Sequence, residues 1–174
     1  TSIDTETFAD EDLIRFNLGG IEAYKFRKNS NNIPRIEPSN SINSVFIGNL
    51  AGFDNTNTGT HNTFVGSLSG SDNTIGKHNT YFGFRSGGFA AIPNRNTCVG
   101  ASAGAKFTSG NDNTILGYGA GSHFSTGSHN VFLGSSAASG TMTNERGVFI
   151  GSAAGWDNDG DDNVLIGYYA GGAG

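Results

Sequence analysis

Ser102 lies in a motif that matches the nucleophile pattern of many hydrolases. Residues 100–104 read Gly-Ala-Ser-Ala-Gly, which fits Gly-x-Ser-x-Gly. That pattern activates serine only where a strand turns sharply into a helix beside an oxyanion hole. Small residues like those around Ser102 recur about every 17 residues along the chain, so we interpret the match as a product of a structural repeat. We predict no catalytic residue and no enzymatic activity.

The acidic segment 157–162 could bind a cation through carboxylate oxygens. It reads Asp-Asn-Asp-Gly-Asp-Asp, and Ca²⁺ prefers oxygen ligands of this kind. An EF-hand loop has glycine at its sixth position, whereas this segment has Asp162 there. We therefore predict no metal ion and no cofactor, with Asp157, Asp159 and Asp161 as the ligand candidates should a metal bind.

Three histidines occupy one position of the repeat. His61 and His78 are one repeat apart, and His129 follows three repeats later. Imidazoles stacked about 5 Å apart on neighbouring coils could share a metal ion. Arg95 and Asp112 occupy the same position between them, so we interpret the row as solvated polar surface.

A repeat of about 17 residues must position all of these side chains. An apolar run followed by glycine recurs with spacings of 18, 17, 17, 17, 17, 17 and 16 residues. Helical-hairpin repeats need about 33 residues or more, so this period suits a solenoid coil of two short strands and two turns. The sequence therefore predicts an all-β solenoid of eight coils. The repeated glycines are Gly48, Gly66, Gly83, Gly100, Gly117, Gly134, Gly151 and Gly167.

Three β-forming residues precede each repeated glycine, and alternate residues of a strand face opposite sides of a sheet. The residues one and three before the glycine are aliphatic, β-branched or aromatic in every copy. We predict that these two rows line the interior of the solenoid. The rows are Val45, Thr63, Thr80, Thr97, Thr114, Val131, Val148 and Val164, and Ile47, Val65, Phe82, Val99, Leu116, Leu133, Ile150 and Ile166.

The middle residue of each run would then face outward and form another apolar row. An exposed row of this kind promotes aggregation, and its burial would contribute on the order of 10–20 kcal/mol per chain. We predict a parallel homotrimer with this row as its interface; the alternative is that other segments of each coil cover the row within one chain. The interface candidates are Phe46, Phe64, Tyr81, Cys98, Ile115, Phe132, Phe149 and Leu165.

Small residues and asparagines recur at further positions of the repeat. Alanine or serine comes three residues after the repeated glycine, and in seven copies another glycine follows, which suits a sharp bend with positive φ. An asparagine lies four residues before the repeated glycine in six copies, where stacked amides could form a ladder along the axis. These asparagines are Asn62, Asn79, Asn96, Asn113, Asn130 and Asn163.

Residues 43–48, Asn-Ser-Val-Phe-Ile-Gly, resemble the Asn-Ser-Val-Ala-Ile-Gly coils of the YadA-like head domains of trimeric autotransporter adhesins. The repeats are also similar to Asn-Thr-Phe-x-Gly-x-x-Ala-Gly repeats of phage-type tail fibres. The resemblance covers residues 43–174 and implies a left-handed β-roll, trimerised in parallel, that displays a binding surface. The present coils are longer, and large aromatic residues stand where those heads often have alanine.

Residues 1–42 contain no repeat and hold 12 of the 25 charged residues. Two apolar runs at 13–18 and 21–27, joined by two glycines, predict a β-hairpin. A hairpin with so little core is marginally stable alone. We therefore predict a β-hairpin connector or cap over 1–42, followed by a β-solenoid repeat domain over 43–174.

The net charge of −5 argues against nucleic acid or an anionic membrane as a partner, since both require a clustered basic face. We expect no membrane insertion of this segment, because no apolar run approaches the roughly 20 residues of a membrane-spanning helix.

The repeat and the resemblance predict a structural and adhesive segment of an extended trimeric extracellular fibre. The fibre would be a cell-surface adhesin or a phage-like tail fibre that presents a binding surface to a host cell or other surface. Its partners would be copies of itself and an unknown surface receptor or glycan. Trp156, Tyr168 and Tyr169 are the surface-binding candidates, because aromatic faces on turns can support such contacts. The alternative is a self-contained ice-binding β-solenoid, suggested by four threonines in register between Thr63 and Thr114.

Overall fold

The chain is all-β and divides into two compact units, Thr1–Ser44 and Val45–Gly174. The structure is a computed structural model that describes residues 2–8, 11–18, 21–28 and 34–38 as strands, together with residues 42–140 and 143–172. The predicted boundary between residues 42 and 43 lies two residues before this division. The described strands are β1 (Ser2–Phe8), β2 (Glu11–Leu18), β3 (Ile21–Lys28), β4 (Pro34–Pro38), β5 (Val45–Ile47), β6 (Thr63–Val65), β7 (Thr80–Phe82), β8 (Thr97–Val99), β9 (Thr114–Leu116), β10 (Val131–Leu133), β11 (Val148–Ile150) and β12 (Val164–Ile166).

The amino-terminal unit is a four-stranded antiparallel sheet in the order β1-β2-β3-β4. Strands β2 and β3 pair as the predicted hairpin, with Leu18 opposite Ile21 and Phe16 opposite Tyr24. Strand β1 pairs with β2, and β4 pairs with β3, so two strands beyond the predicted hairpin extend the sheet.

The carboxy-terminal unit is a β-solenoid of eight parallel strands, β5 to β12, stacked in sequence order. Each strand pairs with the next in exact repeat register, as Thr97 with Thr114 and Val99 with Leu116. Backbone hydrogen bonds join the coils on both sides of the strand, for example from Thr97 N to Asn113 O at 2.9 Å. The predicted solenoid is confirmed.

In the described residues each coil has one three-residue strand rather than the predicted two. The remainder of the coil consists of turns that hydrogen-bond to the next coil, as from Gly87 N to Ala103 O at 2.9 Å. These segments are rich in Gly, Ser, Asn and Asp, which are depleted in strands and favoured in turns. Beyond the named strands, the parallel pairing among the described residues is limited to isolated bridges, Asn94 with Asn111, Ser109 with Thr126 and Thr126 with Thr143.

The predicted facing of the solenoid strands was wrong. The middle row lies in the interior: Phe64, Tyr81, Cys98, Ile115, Phe132 and Phe149 are fully buried, and Phe46 and Leu165 are partly buried against the same core. This row is therefore not available as an outer trimer interface. The alternative, in which the rest of each coil covers the row within one chain, is what the structure shows. Alternate residues of a strand face opposite sides, and the middle residue has the same parity as the buried asparagine two residues before it, as Ile115 has with Asn113.

The interior is a stack of large side chains along the solenoid axis. Phe64 and Tyr81 stack with ring centroids 4.8 Å apart, and Phe132 stacks on Phe149 at 5.3 Å. A second stack, Phe107 on Phe124, meets the first where Phe124 contacts Phe132 edge-on at 5.0 Å. Such ring pairs contribute about 0.5–1.5 kcal/mol beyond the burial of their area.

The predicted asparagine ladder is present for five of its six residues and lies in the interior beside the middle row; the sixth, Asn163, is half-buried and donates to Gly160 O at 2.9 Å within its own coil. Asn62, Asn79, Asn96, Asn113 and Asn130 are all buried. Each amide oxygen accepts from the backbone N–H of the equivalent residue one coil further on, as Asn96 Oδ1 accepts from Asn113 N at 2.9 Å. Each amide nitrogen also donates to a carbonyl of the next coil, as Asn113 Nδ2 does to Gly127 O at 2.9 Å. The ladder therefore satisfies backbone groups that the short strands leave unpaired.

Glycines allow neighbouring coils to approach closely. Gly100 has a φ of 130°, and a Cβ there would collide with the carbonyl oxygen of Gly117 in the next coil. Gly87 lies at the bend four residues after the repeated glycine Gly83. It has a φ of 57°, and a Cβ there would meet the ring of Tyr81. The predicted positive φ at this bend is confirmed, and Ala138, which replaces glycine at the equivalent position of one coil, also has a positive φ, 52°.

We expect Phe132→Ala to lower the free energy of unfolding by about 3–5 kcal/mol, because it removes a fully buried ring from the interior stack. The matched control is Phe89→Ala, which truncates a side chain that is 40% exposed on a turn and should cost about 1 kcal/mol. Urea unfolding followed by circular dichroism measures both. Equal losses for the two variants would contradict the interior placement of the middle row.

We expect Asn113→Ala to destabilise the protein by about 2–4 kcal/mol, because it leaves buried partners in both neighbouring coils without a hydrogen bond. Asn57→Ala removes the same amide from an exposed turn and should change stability by less than about 0.5 kcal/mol. The same urea titration compares them. A neutral Asn113→Ala would show that the ladder contributes no net stability.

Candidate functional site

The outer side of the solenoid sheet is a continuous apolar surface, which we call the strand face. It consists of the two rows that flank the buried middle row, the rows predicted to line the interior. Several of its large side chains are strongly exposed: Ile47 54%, Phe82 56%, Leu116 40%, Leu133 39%, Val164 66% and Ile166 66%. The others are exposed or half-buried. This surface is therefore the candidate interface in place of the middle row.

The strand face carries no charge and is highly regular. Its sixteen residues are Val, Ile, Leu, Phe and Thr. Like residues are direct neighbours on adjacent strands, so that Thr63, Thr80, Thr97 and Thr114 form one uninterrupted row. Monomeric proteins rarely expose a large contiguous apolar surface, and such a surface marks an interaction site.

A groove lies on the turns that follow the strands, and we call it the corner groove. Its volume is about 350 Å³, within the range of small-ligand sites. It shares no residue with the strand face. The large side chains that line it are Arg85, Phe89, Lys106, Tyr118, His123 and Trp156.

Several contacts hold the side chains of the corner groove in place. The Arg85 guanidinium carbon lies 4.8 Å from the centroid of the Phe89 ring, a cation–π arrangement. His123 Nδ1 lies 2.9 Å from the backbone oxygen of Ser139. Because a carbonyl only accepts, Nδ1–H is the donor of this bond. Nε2 of His123 forms no hydrogen bond with the described residues.

The groove was not predicted, although the sequence contains a signal for it. Phe89, Lys106 and His123 are each 17 residues apart, so they occupy one position of three successive coils. Trp156, a predicted surface-binding residue, lines the groove. Tyr168 and Tyr169, the other two, are 83% and 42% exposed, contact each other with ring centroids 6.3 Å apart, and are not among the lining residues.

The row that was predicted to be solvated polar surface contains histidines, an arginine and an aspartate at one position of the repeat. On the surface of the solenoid these side chains stack or pair with one another. His61 and His78 stack with ring centroids 4.9 Å apart. Arg95 forms a bidentate ion pair with Asp112, with Nε–Oδ1 at 2.7 Å and Nη2–Oδ2 at 2.8 Å. Hydrogen bonds from Arg95 hold the pKa of Asp112 below its ordinary value. The stabilisation from this pair is therefore present above the ordinary carboxyl pKa and is lost as pH falls through the lowered one.

The acidic segment does not form a metal site in the described residues. Asp157, Asp159 and Asp161 are all exposed. Asp161 Oδ1 accepts a hydrogen bond from Glu145 N at 2.9 Å. Asp162 pairs with Arg146, whose Nη2 lies 2.9 Å from Oδ2, and these hydrogen bonds lower the pKa of Asp162. No group of three His, Cys, Asp or Glu residues that could hold a metal ion occurs where the chain is described.

The remaining reactive side chains lie in structural positions. Ser102 is part of a turn after strand β8, with a φ of 59°, and no helix follows it in the part of the chain that is described. Cys98 is fully buried in the interior stack, and burial raises the pKa of its thiol far above the ordinary value, so little reactive thiolate forms. Burial likewise raises the pKa of the Tyr81 hydroxyl.

Within the described residues, the chain has no helix with the length and apolar character required to cross a membrane. Comparisons with protein-family models, with curated proteins and with solved structures found no match. A functional interpretation of this chain therefore starts from its two surfaces, the strand face and the corner groove.

Proposed function

We propose that this chain is a structural and adhesive segment of an extended extracellular fibre, assembled as a parallel homotrimer through the strand face. The observation that carries the proposal is the exposed, uncharged apolar surface that runs over all eight coils. The fibre is a cell-surface adhesin or a phage-like tail fibre, and it presents its remaining surface to a host cell or other surface. The chain itself performs no catalysis.

The energetics favour burial of the strand face. Eight strands at the usual spacing of about 4.8 Å make a surface roughly 34 Å long. Full burial of a large aliphatic or aromatic side chain contributes about 1.5–3 kcal/mol, and the six most exposed on this face retain 39–66% of their exposure in one chain. Each of these six therefore has about 1 kcal/mol still to gain, and together they offset a cost of association of several kcal/mol.

The same regularity favours a copy of this chain as the partner. Copies aligned in parallel place equivalent coils side by side, so apolar rows meet apolar rows over the whole length of the strand face. No charged group would be buried there, since the face has none. Three copies around an axis parallel to the solenoid cover every face, and the resemblance to YadA-like heads and phage-type tail fibres supports this number.

We expect the protein to have a solution mass three times that of its 18.0-kDa chain, and the double variant Leu116→Lys, Leu133→Glu to be a folded monomer. The two residues are neighbours on paired strands, so the introduced charges attract each other within one chain but are desolvated in an assembly. Sedimentation velocity gives the mass, and circular dichroism checks the fold.

Asn57→Lys, on an exposed turn away from the strand face, is the control and should remain trimeric. A wild-type chain that is monomeric at micromolar concentration, or a double variant that keeps the threefold mass, would contradict the proposal.

Ice binding is a second candidate function, favoured by the outward row Thr63, Thr80, Thr97 and Thr114. The sequence had suggested that these threonines face the interior, whereas three of them are exposed and Thr97 is half-buried. Regularly spaced threonine and aliphatic side chains on a flat sheet could order water. The large Phe82 side chain, 56% exposed beside this row, makes the surface uneven and favours the trimer.

The two candidates predict opposite results in a freezing experiment. A trimer covers the strand face, so we expect no thermal hysteresis from the purified protein. Thermal hysteresis from a monomer, abolished by Thr80→Lys and retained in Asn57→Lys, would instead assign ice binding to the strand face.

A further inference from the structure

We propose that the corner groove binds an acidic oligosaccharide, one whose sugars carry carboxylate groups. The inference rests on the proposed function in one respect, since it names the ligand that the surface-presenting fibre recognises. The groove lies on the turns and shares no residue with the strand face, so both surfaces can act in one assembly.

The charge of the groove is opposite to that of the chain. Residues 45–174 contain five Lys and Arg residues. Arg95 and Arg146 are paired with aspartates, whereas Arg85 and Lys106 form no ion pair in the described residues and both line the groove. No Asp or Glu is among the lining residues, although the whole chain has a net charge of −5. Two unpaired cations converging on one groove favour an anionic ligand.

The arginine is oriented before any ligand binds. Its guanidinium packs over the Phe89 ring, which restricts its rotamers while leaving its N–H groups free of recorded bonds in the described residues. A guanidinium held in this way can donate two parallel hydrogen bonds to a carboxylate. Lys106, one coil further along, supplies a second positive charge.

The uncharged lining of the groove suits a sugar. Phe89, Tyr118 and Trp156 are 40%, 71% and 37% exposed, and the negative face of an aromatic ring attracts the C–H groups of a pyranose. Four serines, Ser102, Ser122, Ser136 and Ser139, contribute hydroxyl groups that can pair with sugar hydroxyls.

Ser139 provides an independent indication of a missing polar partner. It is only 4% exposed, yet its Oγ has no hydrogen-bond partner within the described part of the chain. A buried hydroxyl without a partner costs about 1–3 kcal/mol, which a ligand that hydrogen-bonds it would recover.

The combination distinguishes a saccharide from other anions. Nucleic acid requires many phosphate contacts, and this groove offers two strong cations and one histidine. An extended acidic peptide gains affinity by pairing its backbone with a sheet edge, whereas the groove is formed by side chains on turns.

Trp156 allows a direct test because it is the only tryptophan in the chain. We expect a tetrasaccharide of alternating glucuronate and N-acetylglucosamine to change the Trp156 fluorescence with saturation. Neutral chitotetraose should bind about tenfold more weakly or not at all, since it lacks the carboxylates.

Three variants locate the binding. Arg85→Met and Lys106→Met remove the charge but keep most of the side-chain length, and each should weaken binding of the acidic tetrasaccharide about tenfold. Lys77→Met removes an exposed lysine of the same unit that does not line the groove, and it should leave affinity unchanged. Circular dichroism of each variant confirms that the fold is retained.

Three results would overturn the inference: no saturable binding of the acidic tetrasaccharide, equal affinities in all three variants, or stronger binding of a tetraglutamate peptide. Light scattering on the same samples reports the oligomeric state separately. A monomer that binds the acidic sugar through Arg85 and Lys106 would contradict the trimeric fibre and support the groove, whereas a trimer that binds none of the probes would do the reverse.

Discussion

Hydrogen bonding between successive coils in a register of about one repeat is the constraint on which the solenoid depends. Each coil is too short to bury a core alone, so its backbone groups and its interior side chain must find partners in the coils above and below. That requirement places equivalent residues directly over one another. It also explains the repeated glycine before each turn: at Gly100 the neighbouring backbone is too close to admit a Cβ. A substitution at one position therefore changes the contacts of the equivalent residues in the neighbouring coils.

The same stacking creates the surfaces of the molecule. A three-residue strand sends one side chain inward and two outward, so every coil adds two uncharged residues to the strand face, at least one of them apolar. The turns likewise add one side chain per coil to each row, which brings Phe89, Lys106 and His123 together in the corner groove. An interaction surface on this fold is built by repetition, and its specificity lies at the positions where neighbouring coils differ.

Much of the architecture could be predicted, because the repeat period and the positions of its glycines and asparagines follow from what the backbone needs at each point of the coil. The facing of the strands could not be predicted from alternation alone, since both parities were apolar. One overlooked signal was the asparagine four residues before the glycine. Asn113 has the same strand parity as Ile115, so a buried amide ladder places the middle row inside with it. The prediction of a second strand in each coil was also wrong, because the polar turn residues pair their backbone groups through isolated hydrogen bonds to the next coil.

By itself the sequence determined the repeat, its register, the glycine bends and the existence of an asparagine ladder, because each depends on residue type at a fixed spacing. Only the tertiary structure decided which apolar row is the core and which is the surface. It also decided that Arg85 and Trp156, 71 positions apart in the chain, line one groove. The physical reason is that the direction of each side chain and the shape of each groove depend on how the whole coil closes around its interior. The spacing of residues in the sequence determines only which residues stack on one another.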